Sequence, residues 1–183
     1  MSKSNSFALL LGATLLLSAG GVGLSYASAA ASGGSQSARE VGTRSPYHSP
    51  ELWATINVCN PKNAPDVVGV RGSMPGDGEP KDTMYMRFRL EYFEETSHKW
   101  TELGHGADSG LLAVGPSNTA RQYGRSFTLA APTHAVKLRG LVSYEWVRDK
   151  RVVYSTQRIT TAGRKSVAGA DPVGFSSATC LLS

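Results

Sequence analysis

Several kinds of residue and motif are scarce or missing in this chain, and each absence excludes a class of protein. Only 18% of its 183 residues are charged and 40% are hydrophobic, which excludes a disordered polyelectrolyte and a collagen-like repeat. There is no P-loop, no dinucleotide fingerprint and no hydrolase nucleophile elbow, so no cofactor is expected. No segment of ten or more residues shows a convincing helical period. The sequence therefore indicates one ordinary globular domain without helices.

One long hydrophobic run is present, at the start of the chain. Lys3 precedes an uncharged apolar segment at residues 7–17, and Ala27-Ser28-Ala29 fits the small-x-small pattern that signal peptidase reads. We predict that residues 1–29 are a secretory signal peptide, cleaved near Ala29. The alternative is an uncleaved anchor over residues 7–24, which is about 18 residues and just long enough to span a bilayer, although glycines and serines weaken its second half.

The mature protein is expected to be secreted, either to the extracellular space or to the cell envelope. No second apolar segment follows the first, so no membrane span is expected after cleavage. Arginine outnumbers lysine 12 to 7 and alanine is abundant, which hints at a GC-rich bacterial genome. Residues 30–50 are rich in Ala, Ser and Gly and indicate a flexible leader. The folded domain is expected over residues 51–183.

The chain contains two cysteines, Cys59 and Cys180. Export places them in an oxidising compartment, so we predict one intramolecular disulfide. By the chain-entropy model, closing a loop of this size stabilises the fold by about 4.7 kcal/mol. The alternative is a nucleophilic thiol, but no histidine lies near either cysteine in the sequence. Together with the four scattered histidines, the two cysteines show no zinc-site spacing.

Apolar residues in the predicted domain recur mainly with a period of two, which is typical of strands that are buried on one face. The clearest examples are residues 83–95 and 136–147. Residues 148–151 form a polar turn, and it is expected to join 136–147 to a partner strand at 152–160 as a hairpin. Two Gly-rich stretches, 104–118 and 162–174, are expected to be long loops. Further strands are expected at 52–59, 67–74, 100–103, 127–130, 152–160 and 175–182.

Seven to eight short strands separated by turns predict an all-β fold, a single antiparallel β-sandwich. The architecture is expected to be immunoglobulin-like. The resemblance to immunoglobulin domains is architectural only, because Cys59 and Cys180 are too far apart for their Cys…Trp…Cys pattern and neither Trp100 nor Trp146 stands at the matching position.

Charge is distributed unevenly along the chain. Residues 30–118 hold 8 basic and 11 acidic side chains, a net of −3, whereas residues 119–183 hold 10 basic and 3 acidic, a net of +7. An anionic cell-envelope polymer is one partner that the basic half could attract. The candidate polyanion surface consists of Lys137, Arg139, Arg148, Lys150 and Arg151. If Arg87 and Arg89 lie on the same sheet as Lys137 and Arg139, strand alternation produces a basic stripe. The alternative is that strands from the acidic and basic halves of the chain interleave, so that their charges mix on the surface.

That basic surface lacks the exposed aromatic residues that mark single-strand nucleic-acid binders, so no nucleic-acid partner is expected.

The residues that could instead carry chemistry lie mainly in Gly-rich segments. The Gly104–Gly110 loop contains His105, Asp108 and Ser109, and its Asp-Ser-Gly string resembles the nucleophile segment of trypsin-like proteases. A small secreted hydrolase, with His105 or His134 as the base, is therefore an alternative function. The glycine that should follow is replaced by Leu111, and the chain is too short for a two-barrel protease.

An acidic cluster surrounds a Pro/Gly-rich loop and is a candidate calcium site, although its spacing fits no calcium-binding repeat. Its members are Asp66, Asp77, Glu79 and Asp82. The sequence as a whole favours an exported, non-catalytic β-sandwich that acts as a binding or structural module. We predict no catalytic, cofactor or metal residue, and an extracellular protein is the other partner class that we consider.

Overall fold

The structure is a computed structural model that describes residues 45–183, so the predicted signal peptide and most of the predicted leader lie outside the described residues. A single 3₁₀ turn at Pro46–His48 comes first, and nine strands follow it within the described residues. The strands are β1 (Trp53–Cys59), β2 (Val67–Met74), β3 (Thr83–Glu94), β4 (Lys99–Glu102), β5 (Asp108–Pro116), β6 (Arg121–Thr128), β7 (Val136–Arg148), β8 (Arg151–Ile159) and β9 (Cys180–Leu182).

The strands form two antiparallel sheets that pack as a sandwich. The smaller sheet has the order β1-β2-β6. In the larger, six-stranded sheet, β3 and β7 are central; β4 and β5 pair with successive halves of β3, and β8 and β9 do the same on the far side of β7. The predicted all-β, antiparallel sandwich is confirmed, and the arrangement is compatible with an immunoglobulin-like architecture.

The core lies between the sheets and follows the predicted alternation. Met84, Met86, Phe88 and Leu90 on β3 are all buried, and the neighbouring strand β7 buries its alternate residues in the same way. The two aromatic residues of β7 are buried, and each makes a hydrogen bond with its polar atom. Tyr144 Oη donates to Trp53 O at 2.6 Å, and Trp146 Nε1 donates to Pro75 O at 3.0 Å. These bonds cross from one sheet to the other and hold their relative position.

The expectation of a long loop over residues 104–118 is wrong, because residues 108–116 form β5 against β3. Gly110 and Gly115 have φ values of 65° and 123°, and the register with β3 shifts next to each of them. Glycine at a β-bulge adopts a backbone conformation that other residues resist. The glycines of this segment therefore mark irregularities within a strand and do not interrupt it.

Two other strand boundaries differ from expectation. The strand expected from residue 127 runs over Arg121–Thr128 instead, and its sequence RQYGRSFT has little apolar content because this strand is the edge of the smaller sheet. The closing strand expected over 175–182 is reduced to Cys180–Leu182, preceded by one isolated bridge between Ser177 and Ile56. The additional strand β5 raises the count within the described residues to nine.

The second Gly-rich stretch and the residues directly after it cover the outer side of β1 in the smaller sheet. Asn57 Nδ2 donates to Gly169 O at 2.6 Å, and Thr55 Oγ1 lies 2.7 Å from Ser176 Oγ. Because both side chains point away from the inter-sheet core, this loop explains why they are buried. The predicted disulfide is confirmed: Cys59 at the end of β1 bonds to Cys180 at the start of β9, so it links the two sheets.

The first described residues contact β8 on the larger sheet. The ring of Tyr47 meets the ring of Tyr154 edge-on, with 5.7 Å between centroids. Arg158 Nη2 donates to the backbone oxygen of Tyr47 at 2.9 Å. These contacts hold the start of the described chain against β8, at the edge of the larger sheet.

Candidate functional site

The outer face of the six-stranded sheet carries rows of polar side chains that run across its strands. The pairing places Leu111, Arg87, Ser143 and Gln157 side by side on β5, β3, β7 and β8. The next row, in the direction of the β7–β8 turn, contains Tyr85, Glu145 and Ser155. In the opposite direction the face carries Arg89, then Arg139 beside Glu91 and Glu102. Strand alternation predicts which of these side chains point outward, but only the pairing brings them together.

Ion pairs balance the charge of this face. Arg87 pairs with Asp108 through two guanidinium nitrogens, and its hydrogen bonds hold the pKa of the Asp108 carboxyl at about 2, below its ordinary value of 3.8. Arg89 pairs with Glu102. Arg139 pairs with Glu91 at 2.6 Å. The face holds four cations and four carboxylates, a net charge of zero; these are Arg87, Arg89, Lys137 and Arg139 against Glu91, Glu102, Asp108 and Glu145.

Two shallow clefts adjoin on this face and share Arg89. One, of about 360 Å³, lies between Arg89 and the Gly104–Gly110 loop and includes Glu102 and His105. The other, of about 380 Å³, lies on the sheet itself. We call the two clefts together the sheet groove, and its outward side chains are Arg87, Arg89, Glu102, His105, Asp108, Leu111, Ser143, Glu145, Ser155 and Gln157.

The centre of the sheet groove is ordered by hydrogen bonds and still has bonding capacity. Arg89 Nη2 and Gln157 Nε2 both donate to Ser143 Oγ, each at 3.1 Å. Because a hydroxyl accepts two bonds and donates one, the Ser143 proton is left to donate to a ligand. Among the described residues, the carboxylate of Glu145 and the hydroxyl of Ser155 have no hydrogen-bonded side-chain partner. The groove therefore offers both donors and acceptors in fixed positions.

Aromatic residues flank the groove at one end of the face. The guanidinium of Arg139 lies 4.4 Å from the centroid of the Trp100 ring, and Phe93 packs beside Trp100 at 5.3 Å. The ammonium of Lys137 is 6.0 Å from the Phe93 centroid. At these distances a cation is attracted by the face of an aromatic ring. Arg139 is thus held by a carboxylate and a ring together, which fixes its position in the row.

The five predicted polyanion residues do not form one surface. Lys137 and Arg139 lie near the start of β7, and Arg148 lies at its end, 11 residues or about 36 Å along the strand from Lys137. Arg139 is paired with Glu91, as described above, and Arg148 donates two hydrogen bonds to Asp82. Lys150 and Arg151 extend from the β7–β8 turn. Polyanion binding by this set stays a prediction, now restricted to two separate groups.

The Gly104–Gly110 segment lines the groove with all its residues except Ser109, and its side chains do not form a nucleophile and base pair. Ser109 Oγ accepts a bond from the backbone N–H of Phe88 at 2.9 Å and donates to Gly110 O at 2.7 Å. Asp108 is bound by Arg87, and the side chain of His134 bonds to Thr133 instead. The hydroxyl of Ser109 therefore fixes the bulge between β3 and β5.

The fold separates Asp66 from the other three residues of the predicted acidic cluster, because Asp66 precedes the first residue of β2 and the others follow its last. Asp82 is fully buried and accepts two bonds from Arg148, at 2.6 and 3.0 Å, which lower the pKa of its carboxyl. Asp77 is buried beside it, and burial raises the pKa of Asp77. The Asp77 Oδ2 atom accepts no hydrogen bond from the described residues. When this oxygen carries a proton, it can donate a hydrogen bond to the Asp82 carboxylate. No group of three His, Cys, Asp or Glu side chains within residues 45–183 is arranged to hold a metal ion.

Comparisons of this chain with protein-family models, curated proteins and solved structures found no match. Within residues 45–183, no helix has the length and apolar character needed to cross a membrane. The sequence does not single out Ser143, Glu145, Ser155 and Gln157 as functional residues, because their only signal is that they fall on the polar side of alternating strands. The functional argument therefore depends on the sheet groove itself.

Proposed function

We propose that the protein is an exported, non-catalytic binding module that recognises an extracellular ligand through the sheet groove. The observation that carries this proposal is an ordered polar groove on the outer face of the larger sheet. Most of its donors and acceptors lie on the neighbouring strands β5, β3, β7 and β8, so they are held in place before a ligand arrives. Such pre-organisation reduces the conformational entropy that binding costs.

The hydrogen bonding of the Gly104–Gly110 loop favours binding over hydrolysis. A serine nucleophile needs a base within hydrogen-bond reach, whereas the Ser109 hydroxyl bonds to backbone atoms on both sides. The Asp108 carboxylate, which would orient a base, is already engaged by Arg87. A loop with these bonds positions the rim of the groove.

Export of the module is supported by the disulfide together with the N-terminal sequence pattern. A Cys59–Cys180 bond is compatible with an extracellular location, because disulfides persist in oxidising compartments. The test is the intact mass of the protein recovered from the culture medium of its host. We expect the mass of residues 30–183 less two hydrogens, rising by two on reduction. A full-length protein found only in membranes would contradict export.

Retention on isolated cell envelopes of the host tests the binding role. We compare the wild type with the double variant Glu145→Ala/Gln157→Ala, which removes two groove side chains that make no ion pair. The matched control is Glu95→Ala/Asn118→Ala, which removes an acid and an amide from exposed turns elsewhere. We expect the groove variant to be retained less and the control to be retained like the wild type. Equal retention of all three proteins would refute a role for the groove.

A further inference from the structure

We infer that the ligand of the sheet groove is a neutral polysaccharide chain that lies across the strands of the larger sheet. This inference rests on the proposed binding role and specifies the chemistry of the ligand. Three properties of the groove carry it: the balance of its charges, the mixture of its hydrogen-bonding groups, and the apolar surface beside them.

The charges of the groove disfavour an anionic ligand. Its two arginines are both neutralised, Arg87 by Asp108 and Arg89 by Glu102. The carboxylate of Glu145 has no ion-pair partner among the described residues, so the groove has a net charge of −1 with its histidine neutral. A polyanion would have to displace existing ion pairs while approaching a surplus carboxylate, and complementary potential is what favours charged partners.

The free hydrogen-bonding groups suit hydroxyls. Ser143 offers a donor, Glu145 offers acceptors, and the hydroxyl of Ser155 offers both. A sugar hydroxyl can likewise both donate and accept, so each of these groups finds a complementary partner on a polyhydroxylated chain. One carboxylate among neutral polar groups gives directed bonds to hydroxyls, which are stronger when one partner is charged.

Apolar surface lies directly beside these polar groups. Leu111 is 52% exposed at the β5 end of the row that contains Arg87, Ser143 and Gln157. Tyr85, which is half-buried, is the cross-strand neighbour of Glu145. A sugar ring presents C–H groups on its faces and hydroxyls at its edges, so it requires an apolar contact next to hydrogen-bonding groups. An extended protein strand or a small ion does not require this combination.

The extent of the groove fits a chain and exceeds a single sugar. Its two clefts continue into each other at Arg89 and cross the sheet from β8 to β5. Three strand spacings of about 4.8 Å make this distance about 14 Å. Both clefts are open to solvent on the outer side of the sheet, so a polymer can enter them from that side. This geometry is expected of a module that binds within a polymer.

The experiment titrates the oxidised mature protein with defined polymers by calorimetry and by amide chemical shifts. The neutral probes are hexasaccharides of glucose, mannose and galactose, the anionic probe is a polygalacturonate oligomer, and the cationic probe is a chitosan oligomer. Each titration is repeated at 50 mM and 500 mM salt. The variants are the two used for envelope retention, with far-UV circular dichroism and urea midpoints to confirm that both fold.

We expect one or more neutral hexasaccharides to bind with an affinity that changes little with salt, and the shifts to map to β3, β7 and β8. Loss of two hydrogen-bonding side chains should weaken binding about tenfold or more in the groove variant and leave the control unchanged. Binding of only the anionic probe, falling steeply with salt, would overturn the neutral ligand. Binding of only the cationic probe would overturn it as well.

These outcomes separate the inference from the binding role. If envelope retention depends on the groove but no neutral hexasaccharide binds at millimolar concentration, the neutral polysaccharide is refuted and the binding module stands. If a neutral hexasaccharide binds but the amide chemical shifts that it changes lie away from Glu145 and Gln157, the assigned site is refuted.

Discussion

Replacing Arg148 with methionine should destabilise the fold, whereas the same replacement of Arg151 should not. The two arginines are direct neighbours across the β7–β8 hairpin, so they share local backbone structure and sequence context. They differ in one respect: Arg148 binds the carboxylate of Asp82, whose side chain is fully buried, and Arg151 makes no ion pair among the described residues. The comparison therefore isolates the buried ion pair.

The expected cost of Arg148→Met follows from what it leaves behind. Asp82 would lose two charge-assisted hydrogen bonds, of 2.6 and 3.0 Å, and would remain a buried carboxylate beside Asp77. Removing one partner of a buried pair costs about 3–5 kcal/mol. We expect a value of about 3 kcal/mol, at the low end, because the Arg148 side chain is 39% exposed and water can enter in its place. Arg151→Met should change stability by less than about 0.5 kcal/mol.

The assay is urea unfolding of the oxidised variants at several pH values. The bond to Arg148 lowers the pKa of Asp82 below its ordinary value of 3.8. The stabilisation is thus fully present above pH 3.8 and is lost as the pH falls through the lower, folded-state pKa. The difference between wild type and Arg148→Met should be full at pH 7 and shrink below pH 3.8. Equal midpoints for the two variants at pH 7 would refute the reasoning.

Two further predictions concern Asp77 and the disulfide. Asp77→Asn should raise stability at pH 7 by about 1 kcal/mol, because its amide supplies a permanent donor to Asp82 where the wild type must bind a proton or leave Oδ2 without a partner. Since the pKa of Asp77 is raised in the folded state, wild-type stability should fall as the pH rises through that pKa, and the urea midpoints of Asp77→Asn should not show this fall. An Asp77→Asn variant that is less stable than the wild type at every pH would contradict a hydrogen bond from residue 77 to Asp82. Cys59→Ser/Cys180→Ser should lower the free energy of unfolding by roughly 3–5 kcal/mol, because the bond closes a loop with a sequence separation of 121 residues. A loss under about 1 kcal/mol in urea unfolding would show that the two sheets hold β9 in place without the bond.

Alternation along the chain was sufficient to find the strands with a buried face. β2 matches the expected residues, and β1, β3, β7 and β8 lie within one or two residues of expectation at either end. β5 was missed because Gly110 and Gly115 interrupt its pattern, and sequence alone does not distinguish a glycine in a bulge from a glycine in a loop. β6 was misplaced because an exposed edge strand has no apolar period to detect.

The sequence by itself determined the fold class, the positions of most core strands and the pairing of Cys59 with Cys180, since two cysteines allow one intramolecular bond. Those properties depend on composition and on local periodicity. Only the tertiary structure decided which charges meet, because Arg87 lies 21 residues from Asp108 and Arg148 lies 66 residues from Asp82. The sheet groove was decided in the same way: its side chains come from β3, β4, β5, β7, β8 and one loop. The register between strands, which no single strand encodes, makes them neighbours.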